Sequence, residues 1–176
     1  MAGHSKWAQI KRQKGSEDAK RSKLFSKISR LIASESRRAK GDVSNPSLRV
    51  VIERAKKENM PKDTIERAVK KGTESGTGEL HEVVYEAYGP GGAALVIAGI
   101  TDNKNRTVQE VKQVLAAHGG TLAASGAALW AFEKKGEEWE PINEVPLRDE
   151  EGAIIALLIE ALEELDDIQY VATNAA

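Results

Sequence analysis

The chain contains no cysteine in its 176 residues. That excludes disulfides, thiol nucleophiles and thiolate metal sites, and it fits a reducing cytosol. No apolar run approaches the ~20 residues needed to span a bilayer, so no membrane partner is expected. The opening Met1-Ala2-Gly3-His4-Ser5-Lys6 has no apolar core of the kind a secretory signal carries, and the expected location is cytoplasmic. Histidine is scarce as well: His4, His81 and His118 stand far apart and form no His-x-x-x-His spacing. There is no Walker loop, no Gly-x-Ser-x-Gly and no dinucleotide fingerprint. Asp166 and Asp167 are neighbours in the chain, so on a strand they would face opposite ways, which rules out a paired-carboxylate site. Solvation at a helix end is the role expected for them. The chain is therefore expected not to be an enzyme, with no catalytic residue, no cofactor and no metal.

What the chain has in abundance is charge, and the charge is divided. The formal net charge is −1. Residues 1–72 nevertheless hold 20 Lys and Arg against 8 Asp and Glu, and residues 73–176 hold 6 against 19. One part at +12 joined to another at −13 suggests that the basic part meets a polyanion.

The periodicity changes at the same place. Residues 1–15 are polar and basic without helical or strand spacing and read as an arm. Ser16, followed by Glu17 and Asp18, is a helix start, and Leu24, Phe25, Ile28, Leu31 and Ile32 give one apolar stripe up to about Lys40. Asn45-Pro46 starts a second helix with Leu48, Val51, Ile52 and Ala55 inward. Met60-Pro61 opens a third, with Ile65, Ala68 and Val69 inward and Gly72 as its C-terminal cap. Residues 73–80 read as a linker. Beyond it, residues 81–176 follow the order ββαβαβ. The strands are expected at Val83–Tyr88, Ala94–Ile100, Ala128–Phe132 and Ile168–Val171, and the helices from Asn105 and over 149–165. The expected fold is multi-domain: a three-helix domain over 1–72, then an α+β domain whose four-stranded sheet carries two helices on one face.

Several blocks resemble the YebC/PmpR family, which includes the mitochondrial translational activator of cytochrome c oxidase. They are Ala2-Gly3-His4-Ser5-Lys6-Trp7-Ala8-Gln9-Ile10-Lys11, Asn59-Met60-Pro61-Lys62-Asp63, Tyr85-Glu86-Ala87-Tyr88-Gly89-Pro90-Gly91-Gly92, Thr101-Asp102-Asn103-Lys104-Asn105-Arg106-Thr107, Phe132-Glu133-Lys134-Lys135-Gly136 and Leu165-Asp166-Asp167-Ile168-Gln169. The resemblance implies a cytoplasmic, non-enzymatic regulator of gene expression. Bacterial members are described as probable transcriptional regulators that bind DNA, and others resemble translation factors that meet ribosomal RNA on the ribosome. Family members usually carry a ferredoxin-like third module between the Phe-x-x-x-Gly strand and the Asp-Asp-x-Gln end. Here Gly136 runs almost directly into Glu138-Trp139-Glu140-Pro141, so the chain resembles a short form without that module.

The candidate nucleic-acid-binding residues fall in three groups. Lys6, Lys11, Arg12, Lys14, Lys20, Arg21, Lys23, Lys27 and Arg30 line the arm and one flank of the first helix, with Trp7 placed to stack on a base. The alternative is a solvated helix face with Trp7 folded back. In the third helix, Lys62, Arg67, Lys70 and Lys71 suit phosphates better than base edges. That helix can be the recognition element of a helix-turn-helix or simply part of a three-helix packing unit. Lys104 and Arg106 flank a helix N-terminus that can hold a phosphate, or Asn105 merely caps that helix. The apolar residues of the last helix spread wider than one stripe, which fits burial on both sides or a partner surface. The expected partner is nucleic acid, DNA or ribosomal RNA, with the ribosome as a further partner and the oligomeric state open. A protein–protein adaptor, its basic half docked on an acidic one, is the alternative of another class.

Overall fold

Glu17 and Asp18 open helix α1 (Glu17–Arg38) and Arg37 and Arg38 close it, each pair placed against the complementary end of the helix dipole. The computed structural model describes residues 17–75 and 78–176. The arm, the Ser16 helix start, and Gly76 and Thr77 of the linker lie outside the described residues. The chain divides into two compact units, the first closing at His81 and the second spanning Glu82–Ala176.

In the helical unit, α1 ends where Lys40 turns left-handed (φ 54°) and the Gly41 N–H reaches back to the Ser36 carbonyl at 2.9 Å. Helix α2 (Pro46–Lys57) starts as its sequence implies. The Asn45 side chain accepts from the N–H groups of Ser47 and Leu48, with Pro46 in the first turn. Asn59 supplies the next left-handed residue (φ 61°), and the Met60 N–H closes on the Ala55 carbonyl at 3.0 Å. Helix α3 (Lys62–Thr73) follows Pro61. Ile28, Ile32, Leu48, Val51, Ala55, Met60, Ile65 and Ala68 form the core between the three helices.

Gly72 does not have its expected role. It lies inside α3, which runs on to Thr73 with Glu74 as the cap, and its missing side chain leaves room for the backbone of α1. A Cβ there would stand 2.3 Å from the Ala33 carbonyl oxygen.

The second unit is the expected α+β layer. It runs β1 (His81–Tyr88), β2 (Ala94–Thr101), α4 (Lys104–Ala117), β3 (Thr121–Leu122), β4 (Phe132–Lys135), β5 (Glu138–Pro141), α5 (Asp149–Glu163) and β6 (Ile168–Thr173). The four-stranded sheet has the order β3-β1-β2-β6, and β2 and β6 are antiparallel with Ile97 opposite Val171. On one face, Leu95, Ile97, Ile168 and Val171 pack with Val111 and Leu115 of α4 and with Ile155, Leu158, Ile159 and Leu162 of α5. On the other, Ala94, Val96 and Ala172 are covered by Ala128, Ala131 and Phe132. With both faces of β2 covered, its sequence reads as an unbroken apolar run and shows no alternation.

The strand expected at Ala128–Phe132 is a correction. Leu129–Ala131 is a short 3-10 turn and Phe132 begins β4, which pairs with β5 in a separate two-stranded sheet. The third strand of the main sheet is Thr121–Leu122, pairing Ala87 with Leu122 and Tyr88 with Thr121. The order ββαβαβ survives with this strand in place of the expected one. Lys135 pairs with Glu138 across Gly136 and Glu137, so a two-residue turn occupies the place where the resemblance puts a third module.

The wide apolar surface of α5 is buried only in part. Ile155, Leu158, Ile159 and Leu162 are buried, while Ile154 and Leu157 remain exposed.

Candidate nucleic-acid interface

Lys6, Trp7, Lys11, Arg12 and Lys14 lie outside the described residues. Lys20, Lys23, Lys27 and Arg30 recur along α1 at helical spacing, with Lys20 and Arg21 exposed and the other three half-buried. Lys62, Arg67, Lys70 and Lys71 are all exposed on α3. Three of these four face carboxylates of their own helix region. Lys62 stands 3.7 Å from Glu66, Arg67 stands 3.7 Å from Asp63, and Lys70 stands 3.9 Å from Glu74. The structure thus brings the α1 and α3 cations into one packed unit. Lys104 and Arg106 belong to the other.

The start of α4 departs from expectation in two ways. Its cap is Asn103, whose side-chain oxygen accepts the Arg106 N–H at 3.1 Å; Asn105 already lies within the helix. The Arg106 guanidinium is also held by the protein's own acids, with one nitrogen 2.8 Å from Asp102 Oδ1 and 2.8 Å from Asp167 Oδ2. The hydrogen bond to Asp167, then that to Asp102, raises the guanidinium pKa further above its ordinary range.

Asp167, expected to be solvated, is only 2% exposed. Its Oδ2 takes a hydrogen bond from Thr101 Oγ1 at 3.1 Å and lies 2.7 Å from Thr107 Oγ1, which ties the end of β2 to the first turn of α4. Burial, and then the nearby Asp167 charge, push the Tyr85 phenol up. A buried carboxylate with this many donors holds the loop closed. Asp167→Asn is expected to destabilise the protein by about 2 kcal/mol, since charged hydrogen bonds are lost while the shape is kept. Thermal unfolding followed by circular dichroism checks this, and an unchanged midpoint would contradict the role.

Sequence reading missed a third set of cations. Arg49, Arg54 and Lys57 lie on the outer side of α2, opposite the buried Leu48, Val51 and Ala55. The signal was present in the helical periodicity, because these positions are what remains once the buried stripe is assigned. Among the described residues no group of three or more His, Asp or Glu side chains is placed to hold a metal ion, and no helix is long and apolar enough to cross a membrane.

Comparison with known proteins agrees along the chain. Residues 5–75 match the family model of the TACO1/YebC protein N-terminal domain, and residues 80–137 match that of the TACO1/YebC second and third domain. A probable transcriptional regulatory protein of Petrotoga mobilis is 53% identical over 170 residues, covering 95% of this chain and 66% of its own length. A protein of the same description from Fervidobacterium nodosum is 54% identical over 138 residues, covering 77% of this chain and 55% of its own. The chain thus spans between 55% and 66% of the length of these two relatives. The crystal structure of a conserved hypothetical protein from Aquifex aeolicus superposes with a TM-score of 0.88 at 35% identity, covering 98% of this chain and 97% of that one.

Proposed function

The chain belongs to the TACO1/YebC family, and from that membership we propose that it is a regulator of gene expression that binds DNA through its basic N-terminal domain, residues 1–72. The observation that carries the reading is the charge division, with 20 cations against 8 acids in that segment. Phosphate backbones attract such a surface through counterion release, whatever the base sequence. The name probable transcriptional regulatory protein, borne by the relatives, supports the same reading. The proposed phosphate contacts are Lys6, Lys11, Arg12, Lys14, Lys20, Arg21, Lys23, Lys27 and Arg30, with Trp7 as a stacking side chain. The acidic α+β domain positions this grip or meets protein.

The test is fluorescence anisotropy of the full chain with a labelled DNA duplex across a salt series. Binding is expected to weaken steeply with salt, and Lys20→Glu, Lys23→Glu and Lys27→Glu together to lower affinity at least about tenfold, each lost phosphate contact removing about 0.9 from the log–log slope. Preference for a ribosomal RNA fragment over DNA would reassign the protein to translation. No retention of either nucleic acid would leave the adaptor reading in its place.

A further inference from the structure

The outer face of α2 differs from the cationic face of α3 in how its charges are satisfied. Lys62, Arg67 and Lys70 of α3 each face a carboxylate one helical turn away, in α3 itself or at its C-terminal end. On α2 the direct carboxylate bond goes to Lys56, whose Nζ lies 3.0 Å from Glu53 Oε1. That bond, and then the charge of Lys56, holds the Glu53 carboxyl below its ordinary range, while Arg49 and Lys57 act on it only through space. Among the described residues, the side chains of Arg49, Arg54 and Lys57 have no hydrogen bond or ion pair. Together with Val50, Glu53 and Glu58 they line one shallow, open depression, and Val50, 65% exposed, presents an aliphatic surface there.

We infer that this face of α2 is a second phosphate-contact surface, which takes the sugar–phosphate backbone of a nucleic-acid duplex. The inference rests on the nucleic-acid reading above and adds residues to it. Its geometry fits the ligand. Arg49 to Lys57 spans about 12 Å along the helix, over which one strand of a duplex presents about three phosphates. On this face a duplex is favoured over a single strand, because unpaired bases are held by aromatic stacking and the α2 depression is lined by Arg49, Val50, Glu53, Arg54, Lys57 and Glu58, none of them aromatic. Phe25 is the only aromatic among the described residues of the helical unit, and it packs against the unit's core. Arg and Lys act here as charges along a backbone, with Val50 against the sugar edge.

The experiment compares the full chain with the triple variant Arg49→Gln, Arg54→Gln, Lys57→Gln, using a DNA duplex, an RNA duplex and a single strand of the same sequence. The expected result is a loss of at least about tenfold in duplex affinity at about 0.1 M salt, with a log–log salt slope smaller by about 2.7, which is about 0.9 for each of three contacts. Arg49→Lys with Arg54→Lys keeps the charge and is expected to retain most of the binding. Lys112→Glu, exposed on α4 in the other unit, is expected to change it less than twofold. A loss on either duplex supports the inference, and the two arms say which duplex is the ligand. If wild-type protein binds a duplex and the triple variant binds it equally well with the same slope, the α2 assignment is overturned while the function proposed above stands. Tighter wild-type binding to the single strand also overturns it. Absence of wild-type binding to all three overturns both.

Discussion

Glu86→Ala is expected to destabilise the α+β unit by about 4 kcal/mol. Glu86 is only 5% exposed, on the sheet face away from the helices. Its carboxylate accepts three backbone N–H groups from a segment some forty residues further on: Gly126 at 2.6 Å, Leu129 at 2.7 Å and Ala128 at 2.9 Å. These bonds fix the segment that carries Ala128 and Ala131 down onto Ala94 and Val96, so one side chain anchors the cover of that whole face. Tyr88, two residues along the same strand, braces the segment again through its hydroxyl, which donates to the Ala127 carbonyl at 2.5 Å. Truncation to alanine removes an ionic acceptor, leaves the buried Ala128 N–H without a partner and costs the part-buried bonds from Gly126 and Leu129, and bonds to a charged group cost more than an average hydrogen bond. For a unit of this size the expected fall in melting temperature is on the order of 15–25 °C. Trp130 reports the event directly. Its indole N–H is held to the Ala127 carbonyl at 2.9 Å, so its fluorescence should change with the segment. A variant that melts within a few degrees of wild type would show that the apolar contacts hold the segment unaided.

The same residue gives the protein an acid limit. Burial alone would raise the Glu86 pKa, but the three backbone donors outweigh it and hold the group below its ordinary 4.5. A carboxyl whose folded value is depressed binds protons more readily when unfolded. Its contribution is therefore complete above about pH 5 and is lost as pH falls through the unfolded value toward the folded one. Glu86→Gln separates charge from shape. It keeps one acceptor oxygen, turns an amide toward the remaining donors, and should cost less than alanine, about 2 kcal/mol. Below about pH 4 the stability gap between the Glu86→Gln variant and wild type should narrow, because the wild-type group is then itself becoming neutral.

Glu86 and Asp167 also show where sequence reading stops. The helices were legible because their signals are local: Asn45-Pro46 caps α2 by itself, and Leu48, Val51 and Ala55 mark its buried side within two turns. The strand β2 was legible because its apolar run is continuous. The two buried acids were not, since nothing in a Glu within Tyr-Glu-Ala-Tyr reveals that Gly126 and Leu129 supply its donors. Asp167 likewise looked like a solvated helix end until Thr101, Thr107 and Arg106 gathered on it. The misread strand has a related cause. Ala128 to Phe132 is as apolar as a strand because it is pressed against a sheet face, and burial of a turn leaves the same composition as burial of a strand. The true third strand is two residues long and too short to carry a period.

Gly72→Ala should destabilise the helical unit by about 3 kcal/mol, although helix propensity alone predicts a gain of about 1 kcal/mol from the same change. The conflict is decided by what a Cβ would meet. It would lie 2.3 Å from the Ala33 carbonyl oxygen and 2.8 Å from Ser36 Cβ, and a backbone oxygen within α1 cannot rotate away. The two helices must therefore move apart. Doing so stretches the bond from Ser36 Oγ to the Val69 carbonyl, now 2.7 Å, and loosens the packing of Ile65 and Ala68 against Ile28 and Ile32. Ser36→Ala is the comparison, because it removes that hydrogen bond without the clash and should cost about 1 kcal/mol. Hydrogen exchange of the α1 and α3 amides in the full chain measures both, and a Gly72→Ala chain as protected as wild type would mean that the helices accommodate the methyl. The substitution also bears on function. On the proposed function, the cations of α1 and α2 would act on one rigid duplex only if α1, α2 and α3 keep a single arrangement. A chain that remains folded but has its helices displaced should therefore lose duplex affinity while every side chain proposed to contact phosphate is still present.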